Sequence, residues 1–418
     1  MISKVAIAIL VISTLGLSAQ ASDNTLLHAA GGNVVDESGS PVQLRCVNLS
    51  PWLDPVVYLL GKGGFRVLTT SSSEFKHRLD ELVGASKAEE FWRQWTDHFV
   101  VESDFRQLKD RGFNCVRLPL NYRFIVGDTP GSDPTLNAAG IAPVDRAVAW
   151  GAAHGIYVIL DLHVAPGGQN ALPAVADVPS SDRVARLWAG TTAVLNQKMT
   201  VVLWQALAAR YARASSIGGY DLLNEPSLPS GTPKSQLPAL YKAIIAAIRI
   251  VDRSHMVILE GNNFAHDFSV LSPPPDNNVM YEFHEYAIFN REWNRPNQKA
   301  LTPFLQLRAD TQMPLWLGEF GEESLRWQSE MVQLMKTNQI GWAIWPWKRI
   351  ELGNGHPIMQ TIEPPAAWDE LTKYLLRTRF SHKPSSAQAE QAMAQMLQAI
   401  RSEHCKENPA VADVLSGH

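Results

Sequence analysis

Two glutamates stand where this chain is built to do chemistry. The run Tyr220-Asp221-Leu222-Leu223-Asn224-Glu225-Pro226 stays largely apolar until it ends in an amide and a carboxylate, and a proline then closes it. The run Pro314-Leu315-Trp316-Leu317-Gly318-Glu319-Phe320-Gly321 repeats the arrangement with one glutamate. Short apolar runs bounded by breakers read as buried strands, so each presents its polar residue at a carboxyl end. Other apolar runs end similarly, at Arg117, at His163, at His284 with Tyr286, and at Trp345 with Trp347. Two carboxyls accompanied by a guanidinium, imidazoles and aromatic rings suit glycosidic bond cleavage. There, one carboxylic acid protonates the leaving oxygen while a carboxylate attacks or activates water. For any one of these residues taken alone the competing reading is a structural ion pair, a strand-end cap or, for Trp347 especially, core packing.

To converge, residues spread this far along the chain need a closed scaffold. Apolar runs near 44–49, 113–118, 156–162, 218–224, 256–261, 279–284, 314–319 and 340–346 read as strands. Between them lie helical patterns near 102–111, 143–154, 197–213, 236–253, 298–310, 323–338 and 366–378, with a short one near 264–271. The strands are continuously apolar, as in Tyr157-Val158-Ile159-Leu160, which predicts burial on both faces and parallel pairing. Eight strand–helix units predict an α/β fold, a (β/α)8 TIM barrel whose chemistry collects at the carboxyl ends of its strands. A β-hairpin over 31–45 precedes it, pairing Asn33-Val34-Val35 with Val42-Gln43-Leu44. The connections 50–101 and 164–196 are too long for bare loops; the first carries amphipathic stretches near 74–83 and 87–99, and both are expected to wall the active face.

With 418 residues, 45% hydrophobic and 19% charged, and a net charge of -4, the chain can bury a large core and shows no bias toward polyanions. Nucleic acid is therefore not an expected partner. Lys4, the apolar run Val5–Leu17 and the small residues Ala19 and Ala21 predict a cleavable signal peptide over 1–21, with Ser22 as the mature terminus. That implies a secreted or periplasmic protein with no membrane anchor after cleavage. The barrel is expected over 22–380, and 381–418 reads as a linker followed by a helical tail near 387–403. Three cysteines leave at least one unpaired within the chain. Cys46 and Cys115 sit in apolar runs that could be neighbours, and buried free thiols are the expected state over a disulfide. Cys405 lies in the polar tail.

Leu222-Leu223-Asn224-Glu225-Pro226 resembles the acid/base signature of family-5 glycoside hydrolases, retaining β-glycanases of the cellulase superfamily. Val116-Arg117-Leu118-Pro119, Asp161-Leu162-His163, His284-Glu285-Tyr286, Gly318-Glu319-Phe320 and Trp345-Pro346-Trp347-Lys348 match that family's other strand-end motifs in order, over roughly 42–380. Phe91-Trp92 to Asp104-Phe105 and Ala165-Pro166-Gly167-Gly168-Gln169-Asn170 look most like the exo-β-1,3-glucanase and β-glucosidase-like branch.

The resemblance implies Glu225 as general acid and then base, and Glu319 as the nucleophile of a covalent glycosyl-enzyme. At about 5–5.5 Å, an ionised Glu319 would raise the pKa of Glu225 and keep it protonated. Arg117 would hold Glu319 ionised, Asn224 would meet the sugar 2-hydroxyl, and Tyr286 would donate to Glu319. His163 and His284 would bind sugar hydroxyls, and Trp345, with Trp347 beside it, would form a stacking floor. The implied substrate is a β-glucan-like oligo- or polysaccharide, handled by a monomer without cofactor or metal.

The chain departs from that branch at Asn48-Leu49-Ser50-Pro51-Trp52-Leu53-Asp54-Pro55, where the family has two glycines and then a sugar-gripping glutamate. Whether Asp54 replaces that carboxylate, and so whether action is exo or endo, stays open. An endo-β-1,4-glucanase or β-mannanase is the alternative within the family. A non-catalytic sugar-binding barrel would be expected to lack one glutamate. A metal-dependent hydrolase would need paired ligands such as His-x-His on its first strand, where this chain has Arg45-Cys46-Val47-Asn48.

Overall fold

The computed structural model describes residues 24–62, 68–126, 135–351, 357–377 and 381–416; the expected leader at 1–21 lies outside them. Strands β1 (His28–Ala30) and β2 (Asn33–Val35) form an antiparallel hairpin. Eight further strands, β3 (Arg45–Asn48), β4 (Cys115–Asn121), β5 (Tyr157–Val164), β6 (Ile217–Asp221), β7 (Val257–Glu260), β8 (Val279–His284), β9 (Leu315–Gly321) and β10 (Gly341–Trp345), pair in parallel and in order. They close where β10 meets β3. This is the eight-stranded barrel expected, and β4, β5 and β9 are buried along their whole length, as continuously apolar strands between a helical layer and a barrel interior must be.

The N-terminal hairpin is present, but shifted. Its tight turn is Gly31-Gly32, both at positive φ (56° and 81°), and β1 is the partner of β2. Of the expected pairing with 42–44, an isolated bridge at Val35–Pro41 and the bond from Val42 N to Val34 O remain. Asp36 tightens that second turn by accepting from the amides of Ser38 and Ser40, both at 2.9 Å, and Pro41 has no N–H to extend a ladder.

The long connection after β3 folds into helices Ser72–Val83 and Ala85–His98, where the amphipathic stretches predicted them. Ser71 caps the first in a capping box with Glu74. These helices pack on helix Ala366–Leu375 and on helix Ser386–Ala399 of the C-terminal segment, and Phe91, Trp92, Trp95 and Trp368 fill the seam. The two long connections also lock together. Asp177 accepts from the amide and hydroxyl of Ser73, and Glu74 from those of Ser180.

The crossover from β7 to β8 departs from the expected short right-handed helix at 264–271. Its Asn262–Ala265 turn carries Asn263 and Phe264 at φ 58° and 56°, in left-handed conformation. Beyond β10, strands β11 (Lys348–Ile350), β12 (Gln360–Ile362) and β13 (Lys406–Glu407) form a small sheet that ties the C-terminal segment to the barrel. Lys348 is the pin: its buried ammonium donates to Phe99 O, to Ser402 Oγ (2.9 Å) and toward Asp104 (3.5 Å).

Cys46 and Cys115 correct the expectation of two free thiols. They sit opposite one another on β3 and β4 with Cα atoms 4.4 Å apart and are joined as a disulfide. The parallel register brings the two side chains to the distance such a bond requires. Thiol titration of the denatured, unreduced protein should find one free cysteine, Cys405; three would overturn the pairing. Lys348→Ala should cost roughly 3–5 kcal/mol in urea unfolding, because it leaves Asp104 buried without its cation.

Candidate active site

The site is built on Arg117, whose guanidinium leaves β4 wholly buried. It lies within hydrogen-bond distance of an oxygen from each of Asp161 (3.1 Å), Asp221 (2.8 Å), Glu260 (3.3 Å), Glu282 (3.2 Å) and Glu319 (2.7 Å). It also donates to Asn48 Oδ1 (3.1 Å) and Asn224 Oδ1 (2.9 Å). One guanidinium cannot neutralise five buried carboxylates, and in a low-dielectric interior the remainder is relieved by protonation. Burial pushes Asp161 up to about 8 and Asp221 up to about 7, and holds Glu260 and Glu282 well above the usual carboxylate range. Asp161 Oδ1, Asp221 Oδ1 and Glu282 Oε2 find no donor among the described residues.

Above this layer lie the two glutamates named from sequence. Glu319 Oε1 accepts from Arg117 Nη1 at 2.7 Å and Oε2 from the Tyr286 hydroxyl at 3.0 Å. Among the described residues no arginine or lysine pairs with Glu225. Its Oε1 lies 3.1 Å from His284 Nδ1, and its amide donates to Glu260 Oε2 at 2.7 Å. An oxygen of Glu225, one of Glu319 and a nitrogen of His284 all fall within 4.8 Å of one another. The Glu225 carboxyl is raised above its ordinary value, and burial is the cause, not the repulsion from Glu319 expected from sequence. Burial also depresses His284 to about 3, so its imidazole is neutral at physiological pH and bridges Glu225 to Glu282 Oε1 (3.1 Å) as donor on one nitrogen and acceptor on the other.

Of the other residues singled out, His163, Tyr286 and Trp345 line a cleft of about 460 Å³ with Glu225, His284 and Glu319. His163 is fixed by Asp161 (2.8 Å) and stacks on Trp345 at 5.4 Å and 9°. Asn224 lies just beneath the cleft, held by Arg117, with its amide nitrogen unpartnered among the described residues. Trp347 corrects the sequence reading: it is fully buried in the core and lines no part of the cleft. Asp54 is likewise buried, accepting from Asn121 at 3.0 Å behind the cleft wall. Burial pushes its carboxyl up to about 6.

Sequence and fold both point to a known family. The sequence model described as Cellulase (glycosyl hydrolase family 5) matches residues 72–350. The chain belongs to glycosyl hydrolase family 5. It is 30% identical to a β-xylosidase of Phanerodontia chrysosporium over 359 residues, 78% of this chain and 71% of the relative. It is 28% identical to a probable glucan 1,3-beta-glucosidase A of Aspergillus niger over 289 residues, 68% of this chain and 64% of the relative. In fold it is similar to a β-glucanase of Saccharophagus degradans, with a TM-score of 0.53 at 19% identity, covering 90% of this chain and 95% of that one.

Sequence reasoning passed over most of the family-5 chain's buried acids. Asp161 and Glu282 stand two residues before His163 and His284, and strand side chains alternate, so each points into the same barrel interior as the histidine above it. Counting back in steps of two from each tip would have found them. Tyr58, which lines the cleft and accepts from Trp345 Nε1 at 2.7 Å, comes from the long connection after β3 and carries no strand signal.

The acid layer has a consequence for stability. Carboxyls with raised pKa values hold protons that the unfolded chain has released, so their contribution falls as pH rises from about 4 through about 7 and 8. The depressed His284 acts oppositely, adding stability as pH rises from about 3 to its ordinary 6.5. Above 6.5 the acids prevail, joined by His266, whose raised pKa acts in the same sense. The melting temperature should therefore fall between pH 6.5 and 8.5, and Asp161→Asn should flatten that fall in thermal scans; an unchanged slope would refute shared protons in this layer.

Proposed function

We propose that this chain is a retaining β-glycosidase that hydrolyses β-glucosidic bonds of glucans or gluco-oligosaccharides by double displacement, with Glu319 as nucleophile and Glu225 as acid and then base. The observation that carries the reading is the approach of the two carboxyls. Their facing oxygens lie within 4.8 Å. Inverting enzymes need about 6.5–9.5 Å between carboxyl groups to seat a water, whereas retaining ones use about 5–5.5 Å. The relatives named β-xylosidase and probable glucan 1,3-beta-glucosidase support a β-glycoside substrate.

In the first step a Glu319 oxygen attacks the anomeric carbon as the glycosidic bond breaks, and Glu225 passes its proton to the leaving oxygen. Arg117 and Tyr286 hold Glu319 aimed, and their donors are best satisfied before the ester forms, so they also favour its later departure. His284, neutral, holds Glu225 without supplying a positive charge that would acidify it. In the second step Glu225 takes a proton from water, which displaces Glu319 and restores the β-configuration.

The leader pattern at 1–21 and the Cys46–Cys115 disulfide both support export to an oxidising compartment. N-terminal sequencing of exported protein should begin at Ser22.

Glu319→Gln should abolish turnover while leaving the thermal unfolding profile intact; near-normal activity would sink the mechanism. Glu225→Ala should slow substrates with poor leaving groups most, and azide should restore turnover with a β-glycosyl azide as product. An α-azide would refute retention.

A further inference from the structure

The leaving-group side of the cleft is marked by what is bonded to the backbone around Glu225. Asn170 Nδ2 donates to Glu225 O (3.0 Å), and its Oδ1 accepts from Leu172 N (2.9 Å), which fixes Leu172 on one flank. On the other flank Phe264 N donates to Pro226 O at 3.2 Å. That bond depends on a backbone that non-glycine residues rarely hold, three successive left-handed residues at Asn263, Phe264 and Ala265 (φ 58°, 56° and 63°). The turn thus delivers a phenyl ring to the cleft beside the proposed acid.

Val175 and Phe289 extend the same lining. Phe289 meets the Tyr286 ring edge-on at 6.2 Å yet is 63% exposed, and its neighbour Ile288 is 60% exposed. Of the polar side chains nearby, Asn263 is exposed at the rim and two others are turned to another partner. His266 and Asn290 both approach the buried Glu285, at 3.5 and 3.3 Å. A second sugar would bring hydroxyls on every edge and require donors and acceptors in return, whereas hydrocarbon would gain by leaving water against Leu172, Val175, Phe264 and Phe289.

Resting on the reading of Glu225 as the acid, we propose that the leaving-group subsite takes an apolar aglycone, an alkyl chain or fused rings, in preference to a second sugar. The bond cleaved is the one between the anomeric carbon and the aglycone oxygen. Glu225 protonates that oxygen, the aglycone departs as a neutral alcohol, and water completes the free sugar.

The test begins with 4-nitrophenyl β-glycosides, which identify the sugar accepted. Methyl, butyl and octyl β-glycosides of that sugar, below micelle-forming concentration, are then compared with a naphthyl glycoside and with β-linked disaccharides. Each methylene fully buried is worth up to about fourfold, so kcat/KM should rise at least about tenfold from methyl to octyl and exceed that for disaccharides. A naphthyl preference without an alkyl gradient would assign the subsite to rings; a gradient would assign it to chains. Phe289→Ala, at an exposed position, should lower the octyl-to-methyl ratio several-fold, and Phe264→Ala should do so more strongly. A flat series, or disaccharides ahead of both apolar arms, overturns the aglycone inference and leaves the roles of the glutamates standing. If no β-glycoside is cleaved, the reading of Glu225 and this inference fall together.

Discussion

The structure depends on a single guanidinium. Among the described residues Arg117 is the only arginine or lysine within hydrogen-bond reach of five carboxyls drawn from β5, β6, β7, β8 and β9, and it spans the barrel interior that those strands enclose. Such a charge imbalance is costly to bury, and replacing such groups by well-packed apolar residues often stabilises a fold. Its presence here is therefore a requirement of the site above it. It also dictates a backbone choice: a Cβ on Gly318 would lie 1.5 Å from Glu282 Oε1, so the residue before Glu319 has no room for a side chain. Arg117, Gly318 and Glu282 form one mutual constraint that sets where Glu319 can stand.

The barrel was legible because its signal is repeated. Eight apolar runs each had to be covered on both faces, and strands such as Tyr157–Val164 and Leu315–Gly321 lie within two residues of where that pattern put them. The tips Arg117, His163, Glu225, His284, Tyr286, Glu319 and Trp345 could be read because polar residues ending apolar runs are conspicuous. Trp347 followed the same logic and ended in the core, since an aromatic residue satisfies a strand end and a core equally well. The buried acids were hidden for the opposite reason. A carboxyl inside an apolar run looks like an interruption, and only the barrel's closure explains how Asp161, Asp221, Glu260 and Glu282 can share one arginine.

What escaped otherwise was local backbone geometry. The Cys46–Cys115 pairing follows from the register of β3 on β4, and register is not printed in two separate apolar runs. The stretch near 264–271 read as a short helix because the left-handed turn Asn262–Ala265 that runs into it has no glycine to announce positive φ. Glu225 itself sits at φ 47°. Strain of this kind costs of order 1–3 kcal/mol per residue and persists where the surroundings overdetermine it. Here they do: Glu260 takes the Glu225 amide, Asn170 takes its carbonyl, and Phe264 bonds the residue that follows.

The two glutamates are the same residue type at equivalent strand ends, so any difference in their chemistry must come from what faces them. Glu319 receives two donors, one of them charged. Glu225 receives a neutral imidazole, kept neutral by burial, while the charged guanidinium is committed below. Moving a cation to Glu225 would favour its carboxylate and remove the proton that the proposed mechanism has it donate. The proposed division of labour rests on Arg117 bonding Glu319 while the rest of its donors are taken by the acids packed around it. The guanidinium that bonds Glu319 is thus the one shared with the buried acid layer, while its charge reaches Glu225 only at a distance.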